Sequence, residues 1–249
     1  MQRTDNIIQW NCRGLRANFP ELQRLITNTN PIAICLQETK LPVDTRIDIR
    51  GYSAYHCHST GTDGLSGGTS IFVPTKILHT EVKLTTRLQA VAIRLTAGKT
   101  TTICSIYLPP SLSLKASDLN DLIDQLPTPF ILMGDFNAHN PIWGSSTTSP
   151  RGRMLEKLLS DTDIFLLNDN SPTYVHPATT TFSNLDLTLI HPSISTDYSW
   201  SVLDSLHGSD HFPILLSSVL PTISSNPSHW NFAHTNWNEL QTQSYIRLT

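Results

Sequence analysis

One rhythm constrains this chain more than any other feature. Apolar runs about as long as a single β-strand recur from Ile7 to Val219, each stopped by polar residues, glycine or proline. Strands are predicted at residues 7–11, 32–36, 52–58, 69–73, 89–95, 101–107, 130–134, 164–167, 180–182, 185–190, 199–203 and 212–219. The glycine-containing segment 61–68 predicts a hairpin between 52–58 and 69–73. Gly98 predicts a turn that pairs 89–95 with 101–107, and Pro109-Pro110 ends the second of these strands.

Helices fall between the strands. Leu22, Leu25 and Ile26 recur at helical spacing behind Pro20, which suits a first turn. Ser117 is read as the N-cap of a helix that buries Leu119, Leu122, Ile123 and Leu126. A third helix is predicted over roughly 152–159, with Met154, Leu155, Leu158 and Leu159 inward. Strands outnumber helices, yet helices keep returning. The pattern predicts an α/β (α+β) domain, a four-layer sandwich of two mixed β-sheets flanked by helices, over residues 1–219. Residues 220–249, rich in Ser, Asn, Thr and Trp, read as a linker or tail of a longer protein.

Composition supports this reading and narrows it. The 26 Ser and 30 Thr among 249 residues favour strands and turns over a helix bundle. The apolar stretches, such as 32–36, fall far short of the roughly 20 residues a membrane span needs, so no membrane partner is expected. Arg3, Asp5, Arg13 and Arg16 interrupt the first twenty residues, so no secretory signal is expected and the protein is read as intracellular. Seventeen basic against twenty acidic residues give a net charge of −3. That opposes a broad basic face on nucleic acid, but not a nuclease whose acids gather around a metal. Cys12, Cys35, Cys57 and Cys104 are too widely spaced for a zinc site and read as reduced thiols.

The chemistry sits where apolar strands end. Asn11, Glu38, Tyr107, Asp135 and Asn137 stand at or just after such ends, Asp186 lies within 185–190, and Asp210-His211 come just before the strand that begins at 212. Carboxylates brought together at strand mouths are costly unless a cation or proton holds them. Oxygen ligands suit a hard divalent ion, chiefly Mg2+, with Mn2+ as a substitute, and the lack of a Cys/His cluster argues against zinc. Taken singly, each residue has a plain structural reading. An Asp after a strand is usually a turn former, His211 could be a satisfied core histidine, and Glu38 could cap a helix. The functional case rests on the set.

That set, in order, resembles the endonuclease/exonuclease/phosphatase family. The matching segments are Ile8-Gln9-Trp10-Asn11, Gln37-Glu38-Thr39, Ile106-Tyr107, Gly134-Asp135-Phe136-Asn137, Leu185-Asp186-Leu187 and Gly208-Ser209-Asp210-His211. The resemblance covers about residues 5–219. It is nearer still to the apurinic-like endonuclease domain of jockey-like non-LTR (LINE-type) retrotransposons, through residues 134–144, the Arg151–Leu155 segment, and Trp230-Asn231-Phe232-Ala233 with Trp237.

The resemblance implies a magnesium-dependent endonuclease that nicks one strand of double-stranded DNA and leaves a 3′-hydroxyl. That end would prime reverse transcription of the element's RNA in the nucleus, by a reverse transcriptase domain in the full-length protein. Glu38 and Asn11 would hold the metal, with Asp210 contributing to its surroundings. Asp135 would position or deprotonate the attacking water, Asn137 and Tyr107 would contact the phosphate, and His211, oriented by Asp186, would stabilise the developing charge or serve as the acid. Lys40, Arg151 and Arg153 would hold DNA. Arg13 stands where many members have a residue near the metal. An Arg cannot ligate magnesium, so it either touches DNA or is solvated. The hairpin from Thr173 to Asp186 would enter the minor groove, with Tyr174 as a wedge. A Thr-rich hairpin that merely extends a sheet fits the same residues. His139 and Trp143 are read as loop anchors. Two rivals stay open: an AP endonuclease or other phosphoesterase of the same fold, and an inactive nucleic-acid-binding copy.

Overall fold

A computed structural model describes residues 5–219 except 44, 46 and 59–66. In chain order the elements are β1 (Asn6–Asn11), α1 (Phe19–Thr29), β2 (Ala33–Gln37), β3 (Tyr52–Cys57), β4 (Thr69–Pro74), β5 (Leu78–Val82), β6 (Gln89–Ala97) and β7 (Lys99–Tyr107). Then come α2 (Ala116–Ile123), β8 (Phe130–Asp135), α3 (Pro150–Asp161), β9 (Phe165–Leu166), β10 (Tyr174–Val175), β11 (Phe182–Ser183), β12 (Asp186–Ile190), β13 (Tyr198–Val202) and β14 (Ile214–Ser218).

The strands form two six-stranded sheets, ordered β13-β14-β1-β2-β4-β3 and β5-β6-β7-β8-β12-β9, and a separate β10–β11 ribbon. Each sheet is mixed. β1 and β2 run parallel in the first, as do β7 and β8 in the second, and the other pairs are antiparallel. Each parallel pair needs a crossover, supplied by α1 and α2 respectively.

Alternation of side chains along the strands builds the layers. Ile7 of β1 enters the core between the sheets, with Cys35, Ile71, Ile93, Ile131, Ile190 and Ile214. Its neighbours Ile8 and Trp10 face outward, where Leu22 and Leu25 of α1 cover them. On the far side, Leu119, Leu122, Leu155 and Leu158 of α2 and α3 cover Cys104, Ile106, Leu132 and Leu187. Each fully buried Leu or Ile contributes about 1.5–3 kcal/mol. Helix, sheet, sheet, helix is the four-layer order expected.

Several local expectations needed correction. Ser117 is not a cap: α2 starts at Ala116, and the Asp118 carboxylate reaches back to accept the Lys115 N–H at 2.7 Å. α3 begins two residues early, at Pro150, because the Ser149 hydroxyl caps the Gly152 N–H at 3.0 Å. β5 was not predicted; it is an edge strand with Leu78 71% exposed, so no apolar run marks it. β11 lies one to two residues later than expected because Thr180 takes a left-handed φ of 51° in the turn. The two hairpin pairings hold, although most of the 61–68 turn lies outside the described residues. So do residues 220–249, including Trp230 and Trp237. All four cysteines are free, and Cys12, Cys35 and Cys104 are buried. No helix among the described residues is long and apolar enough to cross a membrane.

Candidate active site

The period that delivers Ile7 to the space between the sheets also delivers Gln9 and Asn11. The same holds along the other inner strands. Gln37 follows Cys35, Thr69 precedes Ile71, Ser105 and Tyr107 follow Ile103, Asp135 follows Met133, and Asp186 precedes Ile190 at even spacing. The inter-sheet layer is therefore apolar at one end and polar at the other. Buried polar groups are tolerable only when bonded. Gln37 Nε2 donates to Ser105 Oγ at 2.9 Å, and the Ser105 and Thr69 hydroxyls lie 2.6 Å apart. Gln9 Nε2 donates to Gln37 Oε1 at 3.2 Å and to Asp186 Oδ1 at 2.8 Å.

Strand register sets the outer rim of this polar end. Asp135 faces Asp186 across an antiparallel pair and sits beside Tyr107 across a parallel one. Gly134 permits the close approach, since a Cβ there would fall 1.8 Å from the Ile106 carbonyl oxygen. Just beyond the strands, Arg13, Glu38, Lys40 and Asn137 take left-handed φ values of 47°, 48°, 51° and 48°. Such backbone costs of order 1–3 kcal/mol per non-glycine residue and gathers at functional sites.

Asn11 is the hub. Its Nδ2 donates to Asp135 Oδ2 at 2.9 Å and to Glu38 Oε1 at 3.2 Å, and lies 3.4 Å from His211 Nε2. Tyr107 donates its hydroxyl to Glu38 Oε1 at 3.2 Å, while Lys40 Nζ stands 3.0 Å from Glu38 Oε2. His211 Nδ1 is 2.7 Å from Asp186 Oδ2, and His211 Nε2 is 3.9 Å from Asp135 Oδ2. The loop holding His211 is tied to β1 twice. Trp10 Nε1 donates to the His211 carbonyl at 3.1 Å, and Ser209 Oγ donates to the Asn11 carbonyl at 2.7 Å.

Electrostatics follow from this crowding. Burial pulls the His211 imidazole towards neutrality, but Asp186 above all, with Asp135 and Asp210, overcomes it and raises its pKa to about 9. Asp135 is pushed up to about 7 by burial and by the Asp186 charge, against the opposing pull of His211, Asn137 and Asn11. Burial would also raise Glu38, yet hydrogen bonds from Asn11 and Lys40 and the charges of Lys40 and His211 hold it below the usual carboxylate range. Burial and the neighbouring Glu38 and Asp135 charges raise Tyr107, so it keeps its proton.

The structure thus brings together Asn11, Glu38, Tyr107, Asp135, Asn137, Asp186 and His211. One of these, Asn137, and several other expected site residues do work other than that expected. Asn137 donates its backbone N–H to Asp135 Oδ1 at 2.9 Å and its Nδ2 to Asp135 Oδ2 at 3.0 Å and the Leu108 carbonyl at 3.1 Å. Its amide therefore holds Asp135 and is not free for a phosphate. Asp210 Oδ2 pairs with Arg13 Nη1 at 3.4 Å, which draws it to that cation instead of to Glu38. Thr173 is fully buried, and its hydroxyl accepts the Leu185 and Asp186 N–H groups, both at 3.1 Å, so it cannot reach DNA. Arg151 turns its guanidinium onto backbone carbonyls behind the site. Arg13 and Arg153 remain exposed. Tyr174 lies over His211, with ring centroids 4.7 Å apart. Trp143 is buried and anchors its loop through the Ala138 carbonyl at 3.1 Å. Gln9 was overlooked, although a polar residue two places before Asn11 on an apolar strand marks the same inner face.

The donor chemistry fits one hard cation. Glu38 is ionised and its side chain is 21% exposed; Asn11 meets it through Nδ2, while the Asn11 Oδ1 accepts the Arg13 N–H at 3.1 Å and keeps a second lone pair. No three His, Cys, Asp or Glu side chains among the described residues are grouped as a metal cage. A single carboxylate suits magnesium, which retains most of its water, and does not suit zinc.

A model of the family described as endonuclease-reverse transcriptase matches residues 101–215. The RNA-directed DNA polymerase from mobile element jockey of Drosophila melanogaster is 30% identical over 222 residues, covering 86% of this chain and 24% of the relative. The chain spans about a quarter of the length of the relatives it matches. Among solved structures, the endonuclease domain of TRAS1, a telomere-specific non-LTR retrotransposon, superposes with a TM-score of 0.74 at 21% identity, covering 86% of this chain and 98% of the other. The AP endonuclease LMAP of Leishmania major gives a TM-score of 0.69 at 15% identity, covering 88% and 89%. With its motifs meeting at one rim and these likenesses across nearly all of the described residues, the chain belongs to the endonuclease/exonuclease/phosphatase family, in the branch of jockey-like non-LTR retrotransposon endonuclease domains.

Proposed function

We propose that this domain hydrolyses a phosphodiester bond in one strand of duplex DNA and leaves a 3′-hydroxyl. In a full-length protein like the relatives, that end primes copying of element RNA, in the nucleus, by a reverse transcriptase domain that follows residues 220–249. The observation that carries the reading is the Asn11 amide, which touches both Asp135 and Glu38 and lies beside an imidazole already paired with Asp186.

Water adds to phosphorus as the bond to the 3′-oxygen breaks; Asp135 takes the proton of the attacking water, and the departing 3′-oxygen takes one from solvent. A carboxyl raised to about 7 is matched to a base working near neutrality. Asn137 fixes both oxygens of that carboxyl, which leaves the base one orientation. His211 is cationic at neutral pH and faces the negative charge that grows on phosphorus, where stabilisation favours the transition state over the ground state. Asp186 holds the Nδ1–H and directs Nε2 towards the site. Glu38 and Asn11 would hold Mg2+, or Mn2+ in its place, and the bound ion would polarise the phosphate and offset charge. Tyr107 and Lys40 orient Glu38 for that task. Arg13, Lys40 and Arg153 offer cations to the DNA backbone, and Tyr174 offers a flat face at the groove.

The test is nicking of supercoiled plasmid with magnesium, beside abasic duplex and a small phosphoester. Nicked circles from intact plasmid, with His211→Ala slower by roughly a hundredfold to ten-thousandfold, are expected. Cleavage of abasic duplex alone would favour the AP endonuclease reading. Full activity in His211→Ala would overturn the mechanism.

A further inference from the structure

Where β7 and β8 part company, the chain runs on through Leu108-Pro109-Pro110 and through Phe136-Asn137. The two prolines have no N–H to offer; the Pro109 carbonyl accepts the Leu112 N–H at 3.0 Å, and a side chain adds donors to it and to the carbonyls around it. Arg151 supplies them. Its Nη1 lies 3.0 Å from the carbonyls of Leu108 and Phe136 and 3.4 Å from that of Asn137. Its Nη2 lies 2.9 Å from the Pro109 carbonyl and 3.0 Å from that of Leu112. One planar fork thereby spans two loops that are far apart in sequence.

The placement has a cost. Arg151 stands in the first turn of α3, where the helix dipole disfavours a cation, and no acidic residue shares that turn. A local conflict of this kind is kept when something else depends on it. α3 itself is seated against the loop after Asn137, since a Cβ at Gly152 would come within 1.9 Å of the His139 carbonyl oxygen. The Leu108 carbonyl also accepts Asn137 Nδ2 at 3.1 Å, the amide that holds Asp135.

We propose that Arg151 is a positioning residue. It locks the loops after Tyr107 and Asp135 in one register, so that Asn137 keeps both oxygens of Asp135 aimed at the reacting water. The proposal rests on the nuclease reading above, and it replaces the DNA contact expected for this residue.

The two roles separate in kinetics and in salt dependence. Arg151→Met, Arg151→Lys and Arg153→Met are compared by nicking rate, and by binding of a duplex oligonucleotide without metal across a salt series. A positioning role predicts that Arg151→Met loses about tenfold to hundredfold in kcat, since small misplacements suffice for that. Its DNA affinity and salt slope stay those of the wild type. Arg151→Lys recovers part of kcat, because an ammonium can serve about three of the carbonyls. Arg153→Met, exposed on the same turn, raises KM and lowers the salt slope by about one. The proposal is overturned if Arg151→Met keeps kcat while its KM rises and its salt slope drops by about one. If Arg151→Met fails to fold by circular dichroism, Arg151→Lys decides: reduced kcat at unchanged affinity supports the role, and wild-type kcat refutes it. An inactive wild-type protein would sink the nuclease reading instead, before any variant is compared.

Discussion

The two ends of the layer between the sheets are built on the same strands and differ in what holds them. At one end Ile7, Ile93, Ile131, Ile190 and Ile214 pack without direction, and their contribution scales with the area removed from water. At the other, Gln9, Asn11, Gln37, Ser105, Asp135 and Asp186 are equally buried, yet each depends on a particular partner. The comparison teaches that stability and chemistry are assigned to opposite ends of one core. The apolar end keeps the sheets together, so that the polar end can hold charges in places they would otherwise leave. Left-handed Arg13, Glu38, Lys40 and Asn137 cluster at the polar end, where strain is offset by packing elsewhere.

Substitutions at the two ends should therefore separate activity from stability. The largest effect is expected at Asp135→Asn, which removes the base at nearly constant volume. Nicking should slow by roughly a hundredfold to ten-thousandfold while the melting temperature stays close to wild type. Ile131→Ala, at the other end, should do the reverse. It should destabilise by about 2–5 kcal/mol in a denaturant melt, with kcat retained where the protein is still folded. A nicking defect in Ile131→Ala as deep as that of Asp135→Asn would erase the distinction between the ends.

The boundary between them can be probed at Gln9, which backs Asp186. Its Oε1 has no hydrogen-bond partner, so half of its amide is already unsatisfied. Gln9→Leu should lose about 1–3 kcal/mol through the unpaired Asp186 and Gln37 oxygens, and about tenfold in kcat as Asp186 loosens. Unchanged kcat would place Gln9 with the apolar end.

A smaller effect concerns pH. His211 in the metal-free protein should titrate near 9, followed by NMR of its ring protons, and at lower pH in Asp186→Asn. A folded pKa raised above the unfolded value of about 6.5 stabilises fully below that pH, and the benefit fades as pH rises through about 9. An unraised His211 would mean that Asp186 does not hold it.

Much of this division was legible in the sequence. Apolar runs that end in Asn11, Glu38, Tyr107 and Asp135 announced both the strands and the residues at their mouths, because period-two alternation carries face as well as element type. The sheet order was less accessible, and β5 was invisible because an exposed edge strand needs no apolar face. Functional roles were lost wherever a side chain's partner is backbone. Arg151 and Thr173 look like groups free to meet DNA until carbonyls and N–H groups from distant segments are seen against them. Asn137 misled in the same way, since its amide donors are taken by Asp135 and Leu108.

If the polar end is one device, Asp186 contributes to the rate chiefly through His211, its partner at 2.7 Å. The direct measurement is the nicking rate of Asp186→Ala, His211→Ala and the double variant under identical magnesium. The account predicts that the double variant is no slower than His211→Ala alone, because residues working as a unit are not additive. Losses that multiply in the double variant would show two independent contributions and contradict it.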